Sequence, residues 1–159
     1  MLIAPFSQWD TPQLTIFLYV NGDFLWSDQP FYWTSGYWTN GFVAIRNTRA
    51  GEAGCPENYL GLVIYQGNSQ RTQCSYLIRN AWIAYTITYD DNSKTGKIYR
   101  NGQLVNTFNY GPATIVRGSA KPLYISGGSG FFKGVIDEVR LYNRALSDAE
   151  IKALYDATK

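Results

Sequence analysis

Along most of this chain apolar and polar positions alternate in short runs, instead of recurring every three or four residues. That is the pattern of strands with one face buried. The runs are rich in β-branched and aromatic residues and are bounded by Gly, Asn, Asp and Ser. They predict strands near residues 14–20, 41–46, 59–65, 74–78, 82–89, 97–100, 103–108, 123–126 and 134–142. Between residues 97 and 105, Asn101-Gly102 supplies the positive φ angles of a two-residue hairpin turn. With the strand before it, joined through Asp90-Asp-Asn-Ser-Lys-Thr-Gly96, this hairpin makes a meander of three strands. Strict alternation in 134–142 sets Val135, Asp137, Val139 and Leu141 on one face and Ile136, Glu138, Arg140 and Tyr142 on the other.

The period changes only at the C-terminal end. Ser147-Asp-Ala-Glu150 has the spacing of a capping box, and Leu146 and Ile151 that of a hydrophobic staple. A helix of about ten residues is expected there, with Ile151, Leu154 and Tyr155 facing the strands. The expected architecture is an all-β antiparallel β-sandwich with a short C-terminal helix, built as one domain over residues 1–159.

Composition narrows the chemistry. The chain has 14 basic and 12 acidic residues with no run of like charge, so the clustered Lys and Arg of a nucleic-acid surface are missing. It has no His, which removes imidazole-based triads and the usual zinc ligand. No stretch approaches the roughly 20 apolar residues of a membrane span, and residues 1–6 lack the basic start and apolar run of a secretory signal. Two cysteines, Cys55 and Cys74, would close a loop of about twenty residues if joined, contributing on the order of 3 kcal/mol. Such a disulfide would argue for an oxidising, extracellular setting; the alternative is two free thiols.

Aromatic residues make up 16% of the chain and crowd into residues 22–40, which hold Phe24, Trp26, Phe31, Tyr32, Trp33, Tyr37 and Trp38. Flat rings with polar tips suit sugar binding, and Trp26, Trp33, Tyr37, Trp38 and Asn40 are the candidate ligand-binding residues. Asp28 and Asn47 could add directional hydrogen bonds. The same rings would also suit a core or a protein interface. Asp90, Asp91 and Asn92 make an oxygen-rich turn that could hold a hard cation or be a turn and nothing more.

Two stretches resemble the laminin G-like branch of the concanavalin A-like lectin and glucanase superfamily. The first runs from Trp82 through Thr88-Tyr89-Asp90 to Tyr99-Arg100-Asn101-Gly102, and the second from Phe132 to Ile151, containing Ile136-Asp-Glu-Val-Arg140 and Tyr142-Asn-Arg-Ala-Leu-Ser147. The resemblance implies a jelly roll in which Trp82 and Phe132 are core framework. It covers the N-terminal part less well: the family's opening strand with a Phe-Asp-Gly turn has no counterpart, so the opening strand is expected to be short or remodelled, with its edge covered by an extra segment or a neighbouring subunit. It further implies that Asp137 helps hold a structural calcium, although the partner turn is the part this chain lacks. Hydrogen bonding of a buried Asp137 to loop amides is the alternative.

The superfamily includes glucanases that place several acids on one strand. The four Glu here, Glu52, Glu57, Glu138 and Glu150, form no Glu-x-Asp-x-x-Glu pattern, and Asp137 and Glu138 are adjacent and so face opposite ways. The expectation is a non-enzymatic module on a cell or virion surface that binds a glycan or surface protein. The alternatives are a subunit of a phage particle or extracellular fibre, with homo-oligomer or assembly contacts through the aromatic surface, and a remnant or active glycoside hydrolase.

Overall fold

The structure is a computed structural model; it describes residues 2–3, 11–23, 31–33, 42–47, 59–66, 69–76, 78–109, 111, 123–126 and 132–159, with side chains for 11–23, 78–109, 111, 125–126 and 132–159. The strands in chain order are Leu2–Ile3 (β1), Gln13–Gly22 (β2), Phe31–Trp33 (β3), Phe42–Asn47 (β4), Tyr59–Gln66 (β5), Ser69–Tyr76 (β6), Ile83–Asp90 (β7), Thr95–Arg100 (β8), Gln103–Asn109 (β9), Leu123–Ile125 (β10) and Gly134–Tyr142 (β11). The helix Asp148–Thr158 (α1) follows. They form an antiparallel sandwich of a six-stranded sheet, ordered β1-β10-β3-β4-β5-β6, and a five-stranded sheet, ordered β11-β2-β7-β8-β9.

The central strands of the five-stranded sheet, β2, β7 and β8, are buried on both faces, and alternation decides which residue serves which face. On the inner face Leu14, Ile16, Leu18 and Val20 of β2 meet Ile83, Tyr85, Ile87 and Tyr89 of β7, with Ile98, Phe108 and Phe132 completing the cluster. On the outer face Tyr99 packs with Leu146 and Ile151, flanked by Tyr142 and Leu154, so α1 lies across the sheet. Phe17 is fully buried there, edge-on to Tyr19, which stacks on Tyr155 of α1. Two apolar faces on one sheet explain why β7 reads as a continuous buried strand.

The helix starts where the capping box placed it. The Ser147 hydroxyl accepts from the Glu150 amide at 3.3 Å, and Glu150 Oε2 accepts from the Ser147 amide at 2.8 Å. Leu146 and Ile151 are both buried, as a staple requires. Thr15 ties the entering chain to β2: its hydroxyl donates to the Arg144 carbonyl at 2.8 Å and accepts from the Leu146 amide at 2.9 Å.

The β8–β9 hairpin turns at Asn101 (φ 51°) and Gly102 (φ 74°), both in the left-handed region. Its side chain has a second use, since Asn101 Oδ1 accepts from the Ala84 amide at 3.0 Å. Strand β8 begins earlier than the pattern suggested because Gly96 lies under the ring of Phe108, where a Cβ would sit 2.1 Å from the ring. Strand β6 also begins earlier, at Ser69, and stops short of Ile78; its Ser, Gln, Arg and Thr residues carry no apolar alternation to read.

Three expectations need correction. In β11 the register shifts between Asp137 and Arg140, so that Glu138 and Val139 together face the single residue Leu18 of β2. Glu138 takes up the strain at φ 51°. Past this bulge the faces exchange: Val139 and Leu141 pack inward with Ile136, whereas Val135 and Asp137 are exposed. Asp137 is therefore no buried acid, and Val135, 56% exposed, is no core residue. Trp82, expected in the core, is 48% exposed, while Phe132 is buried as expected.

Candidate functional site

Of the candidate ligand-binding residues, Trp33 is placed by β3 in the interior of the six-stranded sheet, opposite Val43 of β4 on one side and Leu123 of β10 on the other. Trp26, Tyr37, Trp38 and Asn40, with Asp28, lie outside the described residues. Asn47 ends β4 opposite Leu60. Cys74 stands in β6 opposite Gly61, and Cys55 lies outside the described residues. The backbone thus sets Trp33 in a continuous sheet, flanked in sequence by the other aromatic candidates.

The acids expected to bind a cation are engaged with the protein. Asp90 accepts from the Asn92 amide at 2.9 Å and the Ser93 hydroxyl at 3.0 Å. Asp91 accepts from the Tyr89 hydroxyl at 2.8 Å and from Lys94 at 2.9 Å. This turn spends its oxygens on its own donors. Asp137 accepts from the amide of Glu138 at 2.8 Å, and Glu138 pairs with Arg140. Calcium takes six to eight oxygens, and Asp137 brings one exposed carboxylate. Among the described residues no group of three acids or cysteines is placed to hold a metal.

The remaining described acids are also paired with cations. Asp23 lies 3.5 Å from Arg79, Glu150 2.7 Å from Arg144, and Asp156 2.8 Å from Lys159. Asp148 takes Lys97 at 2.8 Å and the Tyr99 hydroxyl at 2.6 Å. These two bonds hold the Asp148 carboxyl below its ordinary range, while burial and then the bond to Asp148 push the Tyr99 phenol up. Hydrolysis of a glycoside needs two carboxyls facing each other across a bond. Among the described residues each acid instead faces a cation or a turn amide.

At Trp82 alternation and the family resemblance point to opposite faces. Trp82 has the parity of Ala84, Thr86 and Thr88, on the outer face, and not that of Ile83, Tyr85 and Ile87.

A family model described as the concanavalin A-like lectin/glucanases superfamily matches residues 4–152. No curated protein matches the chain. Among solved structures, domain 4 of the extracellular arabinanase of Geobacillus stearothermophilus, in complex with arabinotriose, is similar with a TM-score of 0.73 at 16% identity, over 95% of this chain and 70% of that one. The binding domain of botulinum neurotoxin DC is similar in its complex with rat synaptotagmin II (TM-score 0.65, 19% identity, 93% of this chain and 36% of that one). It is similar also in its complex with SialylT (TM-score 0.65, 19% identity, 96% and 37%). The chain spans a little over a third of the toxin domains, and at these identities the likeness shows the fold alone.

Proposed function

Because this chain belongs to the concanavalin A-like lectin/glucanase superfamily, we propose that it is a non-catalytic module that binds a glycan, or a protein partner, on a cell or particle surface. The observation that carries this reading is the place of Trp33. It lies within the six-stranded sheet, between β10 and β4, in the middle of the stretch that also supplies Trp26, Tyr37, Trp38 and Asn40. Rings give apolar area to the C–H face of a sugar at low entropic cost, and Asn gives directed hydrogen bonds. Structures of the same fold with arabinotriose and with SialylT support the ligand class. The pairing of the described acids with cations and turn amides supports binding without turnover.

A glycan array with the wild-type chain and its Trp33→Ala and Trp38→Ala variants tests this. The wild type is expected to bind a restricted set of glycans and the variants to lose at least tenfold in affinity. Release of reducing sugar would make the protein an enzyme instead. Binding to no glycan, with elution as a large species at micromolar concentration, would make it an assembly subunit.

A further inference from the structure

Exposed Trp82 belongs to a row. The register of β2 with β7 ends at Val20 and Ile83; beyond it the Asn80 amide donates to the Gly22 carbonyl at 3.0 Å, so Trp82 and Ala81 together lie across from Asn21, and β11 sets Val135 opposite the same Asn21. Ala81 and Ile136 pack inward, which turns Trp82 and Val135 to the outer face, and Asn21 follows Tyr19 there. Strands lie about 4.8 Å apart, so the row is about 10 Å wide. Helix α1 ends one row short: Tyr155 stacks on Tyr19, and the Thr158 hydroxyl is 3.4 Å from the Tyr19 hydroxyl.

The chemistry of the row is mixed in a specific way. Val135 and Trp82 offer apolar surface, and among the described residues neither the Asn21 amide nor the Trp82 indole N–H has a hydrogen-bond partner. Its rim is polar, with Asp137 opposite Tyr19 on one side and the Asp23–Arg79 pair and exposed Lys133 on the other. The row is also held firmly. A Cβ on Gly134 would lie 2.3 Å from the Asn21 carbonyl, and one on Gly22 would lie 2.5 Å from the Lys133 carbonyl, so β2 and β11 meet at a closeness only glycine permits.

We propose that Val135, Asn21 and Trp82 form a platform for one sugar ring, separate from the aromatic stretch before Asn40. The C–H face of a neutral pyranose lies on Trp82 and Val135, and its hydroxyls bond the Asn21 amide and the free oxygen of Asp137. Size favours a sugar over a protein. A protein interface takes roughly 20–30 residues a side, whereas among the described residues this row is three side chains wide and is bordered by charged groups and a helix end.

The test titrates the ¹⁵N-labelled wild-type chain with the methyl glycosides of glucose, galactose, mannose and arabinose. Five tryptophans give five indole signals, and that of Trp82 is the one absent from Trp82→Ala. The Trp82 signal is expected to shift saturably with at least one glycoside, and Asn21→Leu to weaken that binding tenfold or more. A Trp82 signal unmoved by every glycoside at about 10 mM, well above a millimolar Kd, overturns the proposal. So does a shift with protein concentration alone, which would put a second copy on the row. Trp26, Trp33 and Trp38 report separately, so the failure of either site is distinguishable from failure of the other.

Discussion

Two threonines on the outer face of the five-stranded sheet show how the same residue type can hold the fold or burden it. Thr15 closes two hydrogen bonds at the entry to α1, whereas the buried Thr86 hydroxyl has no partner among the described residues. Thr15→Val leaves the Leu146 amide and the Arg144 carbonyl without their partner and is expected to cost about 1–3 kcal/mol. Thr86→Val keeps the shape and removes an unpaired hydroxyl, so it is expected to be neutral or to stabilise by up to about 1 kcal/mol. Urea unfolding of both variants checks the contrast. Equal losses would mean that shape and not bonding sets the role of these residues. Neither role was legible in the sequence, because a hydroxyl's partner here comes from 131 residues away.

At the scale of elements, the ends are where local chemistry was most readable. The Asn101-Gly102 turn and the Ser147–Glu150 box both formed where their residue types placed them, because each is satisfied within a few residues. Tertiary structure then used both. Gly102 lies beneath Tyr155, where a Cβ would be 3.0 Å away. Gly102→Ala combines that crowding with a positive φ and is expected to cost at least about 1 kcal/mol by thermal melting.

Glu150 makes the helix start acid-sensitive. Arg144 beside it, and the amide and hydroxyl of Ser147, hold its carboxyl down to about 2 from an ordinary 4.5. The unfolded chain takes up this proton first as pH falls, so the contribution is full above about 4.5 and is lost toward about 2. The melting temperature should fall across that window, and fall less in Glu150→Gln; an identical slope in the variant would remove Glu150 from the account. The β11 bulge was the element-scale feature that alternation missed. Nothing in the run Ile136-Asp-Glu-Val-Arg140 marks a positive φ at Glu138, and that one residue moved Asp137 from an expected core position to the surface.

Across the whole molecule, the sandwich was legible because its strands alternate and its last strand and helix are a long continuous match to the family. The sites were less so. Family likeness places Trp82 in the core, whereas its parity with Ala84 and Thr86 points it outward, where it is 48% exposed, and its neighbourhood with Asn21 and Val135 depends on pairing between strands far apart in sequence. The aromatic stretch before Asn40 was legible as composition, and β3 is the part of it that the structure sets in a sheet. The proposed function joins this fold to ligand recognition without turnover. Its most direct test is titration calorimetry with the best-bound array oligosaccharide, followed by mass analysis of the recovered sugar. Saturable heat with the oligosaccharide recovered intact is expected; no heat, or a shortened oligosaccharide, would contradict it.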